Sequence, residues 1–228
     1  MVLAMSTFLS GCVESQFFYP DRIDYGSPRA LGLEATDVHI AGPEDTKLHA
    51  WWLPAVGPAK GSVLHLHGNA ANVSNHLPLV AWLPRAQRHV PIVVLGQGLG
   101  GATALRAVAG DSSGVKLVIV DAAFASYRGI ARDALGVLGW AAAPALLALP
   151  GTRDDPVTAA ASLDVPLMVL HGTQDRVIPH HHGKALFAAA REPKQWLEVE
   201  GGDHLDALAR EPVRRQLLAA MDRAVAAR

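Results

Sequence analysis

A chain of 228 residues, half of them hydrophobic, suits one sizeable globular domain with its own core. Its formal net charge of −1 and pI near 6.8 leave no basic stripe or acidic tail, so bulk charge gives no support for a nucleic-acid partner. The single cysteine, Cys12, excludes an internal disulfide.

The N-terminal segment, residues 1–16, begins "MVLAMSTFLSGC". "LSGC" resembles a bacterial lipobox, in which the cysteine is lipidated and anchors the protein to a membrane. Against that, only eleven residues precede Cys12 and none is basic, whereas a signal peptide opens on positive charge. The two readings are a lipoprotein of the cell envelope, or a cytoplasmic protein with an apolar N-terminus. The run is too short to span a bilayer as a helix.

From residue 17 onward one domain is expected, built of alternating strands and helices. "DVHIAG" (37–42) and "KLHAWWLP" (47–54), joined by the turn-like "PEDT", read as an antiparallel hairpin. Trp51 and Trp52 fall on opposite faces of it, which places one of them in the core. "GSVLHLHGN" (61–69) is a buried strand, and the apolar spacing over 72–88 predicts a helix. "PIVVLGQ" (91–97), "LGGATALRAVAG" (99–110) and "VKLVIVDAAF" (115–124) then read as strand, helix, strand. Residues 127–161, rich in Ala and Leu with scattered Gly and Pro, are expected to form a cap-like insert. "PLMVLHGTQD" (166–175) is a strand, "HHHGKALFAAARE" (180–192) a helix and "KQWLEVEGGDH" (194–204) a strand and loop. Residues 205–228 close the chain as a helix broken near Pro212. Near-continuous apolar strands alternating with helices predict an α/β fold, a mostly parallel sheet with helices on both faces.

Three loops carry chemistry. At Gly96–Gly101 a strand turns sharply into a helix, with small residues two before and two after the centre, as a nucleophile elbow requires. The centre, where such an elbow carries its nucleophile, is Gly98. Gly96, Gly98 and Gly101 also match the G-x-G-x-x-G dinucleotide fingerprint, and Asp121 follows at about the right distance for its acid. That fingerprint belongs to the first strand of a sheet, and here other strands precede it. The second loop holds Asp175, just past a strand end, and the third holds His204, before the last helix. Each alone reads as a turn former or helix cap. Together, position 98, Asp175 and His204 follow the chain order of a nucleophile–acid–histidine triad. In such a triad the acid orients the imidazole, and the imidazole takes the nucleophile's proton. Leu99 and, in the "HGNAAN" loop, Asn69 occupy the places whose backbone N–H groups would form an oxyanion hole.

"FFYPDR", "LHAWWLP", "HLHGNAANVSNHL", "VAWLP", "VVLGQGLGG" and "HGTQDRVIP" together resemble the bacterial α/β-hydrolases of the Bem46-like, serine aminopeptidase-like group, from about Phe17 to the last helix. The resemblance implies an α/β-hydrolase fold and hydrolysis of esters or related acyl bonds without a cofactor. It implies a serine at position 98, where this chain has glycine. It also implies a further strand, turn and helix, roughly forty residues, between Val90 and Pro91, where this chain has none. That strand would lie between the hairpin and the strand 61–69, so the N-terminal half of the sheet is expected to be disturbed. The functional readings are a crippled acyl hydrolase or a non-catalytic acyl- or lipid-binding protein, with the dinucleotide reading a distant third.

The remaining polar residues have plainer readings. His180–His182 are adjacent, share no helix face, and have no carboxylate or cysteine cluster beside them in sequence, so no metal is expected. His65 and His67 share one side of their strand, with His67 shaping the oxyanion loop. Ser74 and Ser126 are hydroxyls within reach of the site but outside any elbow.

Overall fold

The computed structural model describes residues 19–57, 60–85, 89–136 and 151–226. The lipobox-like Cys12 and the centre of the expected cap lie outside them. Nine strands are described: β1 (Tyr19–Pro20), β2 (Thr36–Ala41), β3 (Lys47–Trp52), β4 (Lys60–Leu66), β5 (Ala70–Ala71), β6 (His89–Gln97), β7 (Leu117–Asp121), β8 (Leu167–Gly172) and β9 (Lys194–Val199). The α-helices are α1 (Val73–Val80), α2 (Leu99–Gly110), α3 (Tyr127–Leu135), α4 (Pro156–Ser162), α5 (His181–Ala189) and α6 (Glu211–Ala226).

Five strands form one parallel sheet in the order β4-β6-β7-β8-β9. Side-chain alternation along the inner strands sorts the core into two halves. Val93, Leu95, Ile119, Met168 and Leu170 face α6, which presents Val213, Leu217, Ala220 and Met221. Val94, Val118, Val120, Leu167 and Val169 face α2, α4 and α5 through Ala104, Leu105, Ala160 and Leu186. Both faces of the strands are covered, which is why they read as continuous apolar runs rather than alternating ones. No helix among the described residues is long and apolar enough to cross a membrane.

The hand of the crossovers is uneven. From β6 to β9 each step moves the same way across the sheet, with α2, α4 and α5 on one face. The step from β4 to β6 moves the same way again, but α1 lies on the other face, where Val80 joins the α6 core. Its hand is therefore opposite to that of the other three. Right-handed crossovers prevail in about 98% of βαβ units, so the β4–α1–β6 unit is the left-handed one.

The hairpin β2–β3 forms as its alternation predicts, in register Asp37↔Trp51 and His39↔His49, but as a separate two-stranded sheet. Trp51 is half-buried and Trp52 is 58% exposed, so neither tryptophan enters the core. The expectation of one core tryptophan fails because the hairpin does not lie in the main sheet. Two helices also differ from their expected spans. α1 ends at Val80, and a 3-10 turn over Leu83–Arg85 follows, because Pro84 cannot continue an α-helical ladder. α6 begins at Glu211, so Pro212 stands in its first turn, where a missing N–H costs nothing, rather than breaking it.

Candidate active site

The elbow is built by crowding. β6 ends at Gln97, Gly98 turns, and α2 starts at Leu99. A Cβ on Gly96 would run into the backbone of Gly100 and Gly101, and one on Gly100 into the carbonyls of Leu66 and His67. The strand and helix therefore meet at a separation only glycine permits. Gly98 sits at φ 54°, ψ −119°, a sparsely populated conformation that costs an L-residue on the order of 1–3 kcal/mol. Glycine has no need of this geometry for its own sake. The turn holds position 98 at the carboxyl end of the central strand, facing the loops that follow β4 and β9.

His204 faces that position from the loop after β9. A Cβ placed on Gly98 would stand 3.7 Å from His204 Nε2 and 3.8 Å from Gly68 Cα, with nothing nearer among the atoms around it. The space for a side chain is open and the imidazole nitrogen borders it. On its other side His204 Nδ1–H donates to Asp175 Oδ2 at 2.9 Å. Asp175 follows β8, and its side chain is fully buried while that of His204 is 20% exposed. With the proton on Nδ1, Nε2 is left as the unprotonated nitrogen at the edge of that space.

Asp175 is held from four directions. Its Oδ1 accepts the N–H groups of Val177 and Ile178 at 2.9 and 2.8 Å. Its Oδ2 accepts His204 and, at 3.4 Å, shares the Nε2–H of buried His171 with the Ile178 carbonyl, which lies at 2.8 Å. Burial alone would raise the Asp175 pKa. The hydrogen bonds of His171, His204 and Ile178 outweigh it and hold the carboxyl well below its usual range. Asp203 clasps the two loops: it pairs with the Arg176 guanidinium and accepts the His204 N–H at 2.8 Å. The Arg176 hydrogen bond holds the Asp203 carboxyl down at about 2.

Leu99 and Asn69 are the chain neighbours of Gly98 and of Gly68, which stand on two sides of this space. Leu99 is the first residue of α2, where backbone N–H groups lie ahead of the helical ladder. Asn69 lies in the loop after β4, beside Gly68. His67 and His76 stiffen this loop: their rings stack at 5.1 Å, and they donate to the carbonyls of Gly68 and Ala70. Three non-glycine residues with positive φ stand at the rims of these loops: Ala71 (58°), Ala122 (52°) and Leu205 (60°). Strain of this kind gathers where a surrounding structure fixes a functional geometry.

Gly98, Asp175 and His204 are thus assembled as the chain order implies. Over the same regions the chain is 32% identical to YfhR of Salmonella typhi, an uncharacterized protein, along 249 aligned positions that cover 84% of this chain and 80% of the relative. YfhR of Escherichia coli K12 is 30% identical, covering 90% and 85%. The Arabidopsis thaliana α/β-hydrolase domain-containing protein WAV2 is 24% identical over 79% and 75%. Among solved structures, the Pyrococcus furiosus esterase Pf2001 superposes with a TM-score of 0.67 at 14% identity, covering 92% of this chain and 97% of its own. A putative lipase from Acinetobacter baumannii superposes at 0.65 and 15% identity, covering 91% and 99%. The chain belongs to the family of YfhR and has the α/β-hydrolase fold. No family model matches it.

Beneath the elbow the chain carries a buried polar relay that the sequence did not single out as a unit. Gln97, inside the elbow, donates to Asp121 Oδ2 at 3.0 Å and pairs with His65 Nε2 at 2.9 Å, bridging β4, β6 and β7. Asp121 is thus committed to a structural bond within the sheet. Burial pushes its pKa up to about 6, against the pull of the Gln97 bond. Burial likewise lowers His65 to about 4. His171 also escaped notice. Its signal is a histidine in an otherwise apolar strand, four residues before the acid.

The two candidate hydroxyls have other work. Ser74 Oγ accepts the Tyr25 N–H and donates to Asn72 Oδ1 at 2.6 Å. Ser126 caps α3 through the Gly129 N–H. The histidine run differs from its expectation: a carboxylate does join it. Asp133, His181 and His182 bring ligand atoms within 4.8 Å of one another, and the two rings stack at 4.4 Å. Yet His182 Nδ1 accepts the Ala125 N–H at 3.2 Å, so its proton sits on Nε2 and is given to Asp133 at 2.9 Å. A metal on Nε2 would force a proton onto Nδ1, against the Ala125 N–H. The cluster is a latch between α3 and α5.

Proposed function

We propose that this α/β-hydrolase descends from serine hydrolases of esters or related acyl bonds, of the Bem46-like group, and that Gly98 occupies the seat of the lost nucleophile. The carrying observation is the coincidence at position 98. Its backbone keeps a φ of 54° that a residue with a side chain would hold only under strain, and the Cβ it lacks would stand 3.7 Å from a histidine nitrogen whose ring an acid already orients. A serine hydroxyl on that Cβ would come within hydrogen-bond reach of Nε2. Without it, turnover of such a triad falls roughly a million-fold, leaving roughly a thousand-fold over water from binding and the oxyanion hole. Resemblance in fold to an esterase and a lipase agrees with the ester class.

The chain is further read as lacking one strand–helix unit at Val90–Pro91. Supporting this, the 249 positions aligned with YfhR exceed the roughly 192 residues that 84% of 228 supplies, so about 57 positions of the relative face none here. The left-handed β4–α1–β6 crossover supports it too. A strand on the outer side of β4 would let α1 return that way, with the ordinary hand. At the junction itself the β4–β6 ladder slips: Gly61 faces Val90 and Ser62 faces Ile92, leaving Pro91 between them.

The test is Gly98→Ser assayed on short-chain p-nitrophenyl esters. Hydrolysis rising by three or more orders of magnitude over the parent, with a burst of p-nitrophenol, is the expected result. A folded Gly98→Ser protein with no gain overturns the reading. Saturable ester binding without turnover in that variant points instead to an acyl-binding protein.

A further inference from the structure

Resting on that reading, we infer that the seat at Gly98 holds a water molecule as nucleophile, so that the protein hydrolyses activated esters in a single displacement with no acyl-enzyme. Three features of the site support this. First, the space beside the histidine is open: apart from the chain neighbours of Gly98, the atoms nearest a Cβ at that position are those of the His204 ring at 3.7 and 3.8 Å and Gly68 Cα at 3.8 Å. Second, the base is prepared. His204 Nδ1–H donates to Asp175 at 2.9 Å, which leaves Nε2 unprotonated beside the seat, 3.7 Å from the Cβ position. Third, the base keeps its orientation without a serine, because the Arg176–Asp203 clasp and the four contacts on Asp175 involve nothing at position 98.

In the step itself, the water oxygen attacks the ester carbonyl carbon and its proton passes to His204 Nε2. The carbonyl π pair moves onto oxygen, toward the start of α2 at Leu99, where backbone N–H groups lie ahead of the helical ladder. When that pair returns, the bond to the alcohol oxygen breaks and the leaving alkoxide takes the proton from His204 Nε2. One ester and one water yield one acid and one alcohol, and the imidazole ends neutral.

The experiment follows p-nitrophenyl acetate in four proteins, each checked for native circular dichroism: the parent, His204→Ala, Gly98→Ala and Gly98→Ser. The parent is expected to exceed His204→Ala by roughly a hundred-fold, the usual scale of a positioned general base. It should show linear progress without a burst and a solvent deuterium isotope effect. Gly98→Ala puts a methyl group in the seat and should fall to the His204→Ala level. Gly98→Ser should gain a burst. A parent no faster than His204→Ala, or a Gly98→Ala protein as fast as the parent, overturns the inference. A burst in Gly98→Ser alongside either of those results leaves the serine-hydrolase reading standing, whereas no gain in Gly98→Ser removes that reading itself.

Discussion

Gly98 is in a conformation that glycine adopts freely and other residues do not. The same φ of 54° that a serine would hold under strain is close to unstrained here. Restoring a side chain should therefore cost stability while it gains chemistry. Gly98→Ser and Gly98→Ala are each expected to lose about 1–2 kcal/mol in urea denaturation, since their side chains meet no clash and only the backbone is penalised. Equal stability of Gly98→Ala and the parent would show that the turn relaxes when substituted. Asp121 offers a second residue-scale test. Its folded pKa of about 6 lies above the usual carboxylate value, so the folded state binds its proton more tightly than the unfolded chain does. Its contribution is most favourable below about pH 4 and is lost as pH rises to about 6, with no change above. Two pKa units correspond to up to about 3 kcal/mol. Asp121→Asn keeps an acceptor for the Gln97 amide and removes the titration. The variant should gain stability over the parent progressively between about pH 4 and 6, and hold the gain at pH 7.5. A difference flat across that range would mean that Asp121 is not raised.

Elements were legible wherever burial on both faces wrote itself into composition. β6, β7 and β8 are built around Val-, Leu- and Ile-rich runs, and the structure places them side by side. The acid and the histidine were legible because each follows such a strand in triad order. The relay of Gln97, Asp121 and His65 was not, because its members are 24 and 32 residues apart and meet only through strand pairing. His171 was hidden for a similar reason. Its bonds to the Ile178 carbonyl and Asp175 depend on how the loop after β8 folds back. The tryptophan expectation failed at another level. Alternation predicts that Trp51 and Trp52 face opposite ways, but says nothing about whether a sheet waits on either side. Proline misled in the last helix: Pro212 interrupts a periodic pattern equally well as a breaker or as a first-turn residue, and only the start at Glu211 separates the two.

For the whole molecule, the asymmetry between the two halves is the main fact to explain. From β6 onward the sheet is continuous, covered and right-handed in its crossovers. Before β6 lie a left-handed crossover, a hairpin sheet outside the main ladder, and apolar side chains in solvent: Ile40 at 53%, Leu48 at 54%, Trp52 at 58% and Leu64 at 53% exposure. Ile40, Leu48 and Trp52 share one face of the hairpin by their register, and Leu64 stands on β4, at the end of the five-stranded sheet. A strand added outside β4 would supply hydrogen-bond partners to that edge and apolar cover to Leu64. This leads to a prediction opposite in sign to the usual effect of an insertion. Grafting the YfhR segment that spans the unmatched positions between Val90 and Pro91 should stabilise the protein. Fully burying a Leu or Ile side chain contributes about 1.5–3 kcal/mol, and those named here are already half-buried, so covering two of them contributes about 2 kcal/mol. The inserted helix would offset its own ordering by packing on the sheet. The graft should raise the urea midpoint and, because more surface is exposed on unfolding, the slope of the transition. Backbone amides of residues 61–66 should exchange more slowly with solvent, since their open edge is paired. A graft that lowers the midpoint, or leaves exchange in that strand unchanged, would mean that the left-handed crossover is the native solution for this chain and that no strand belongs beside β4.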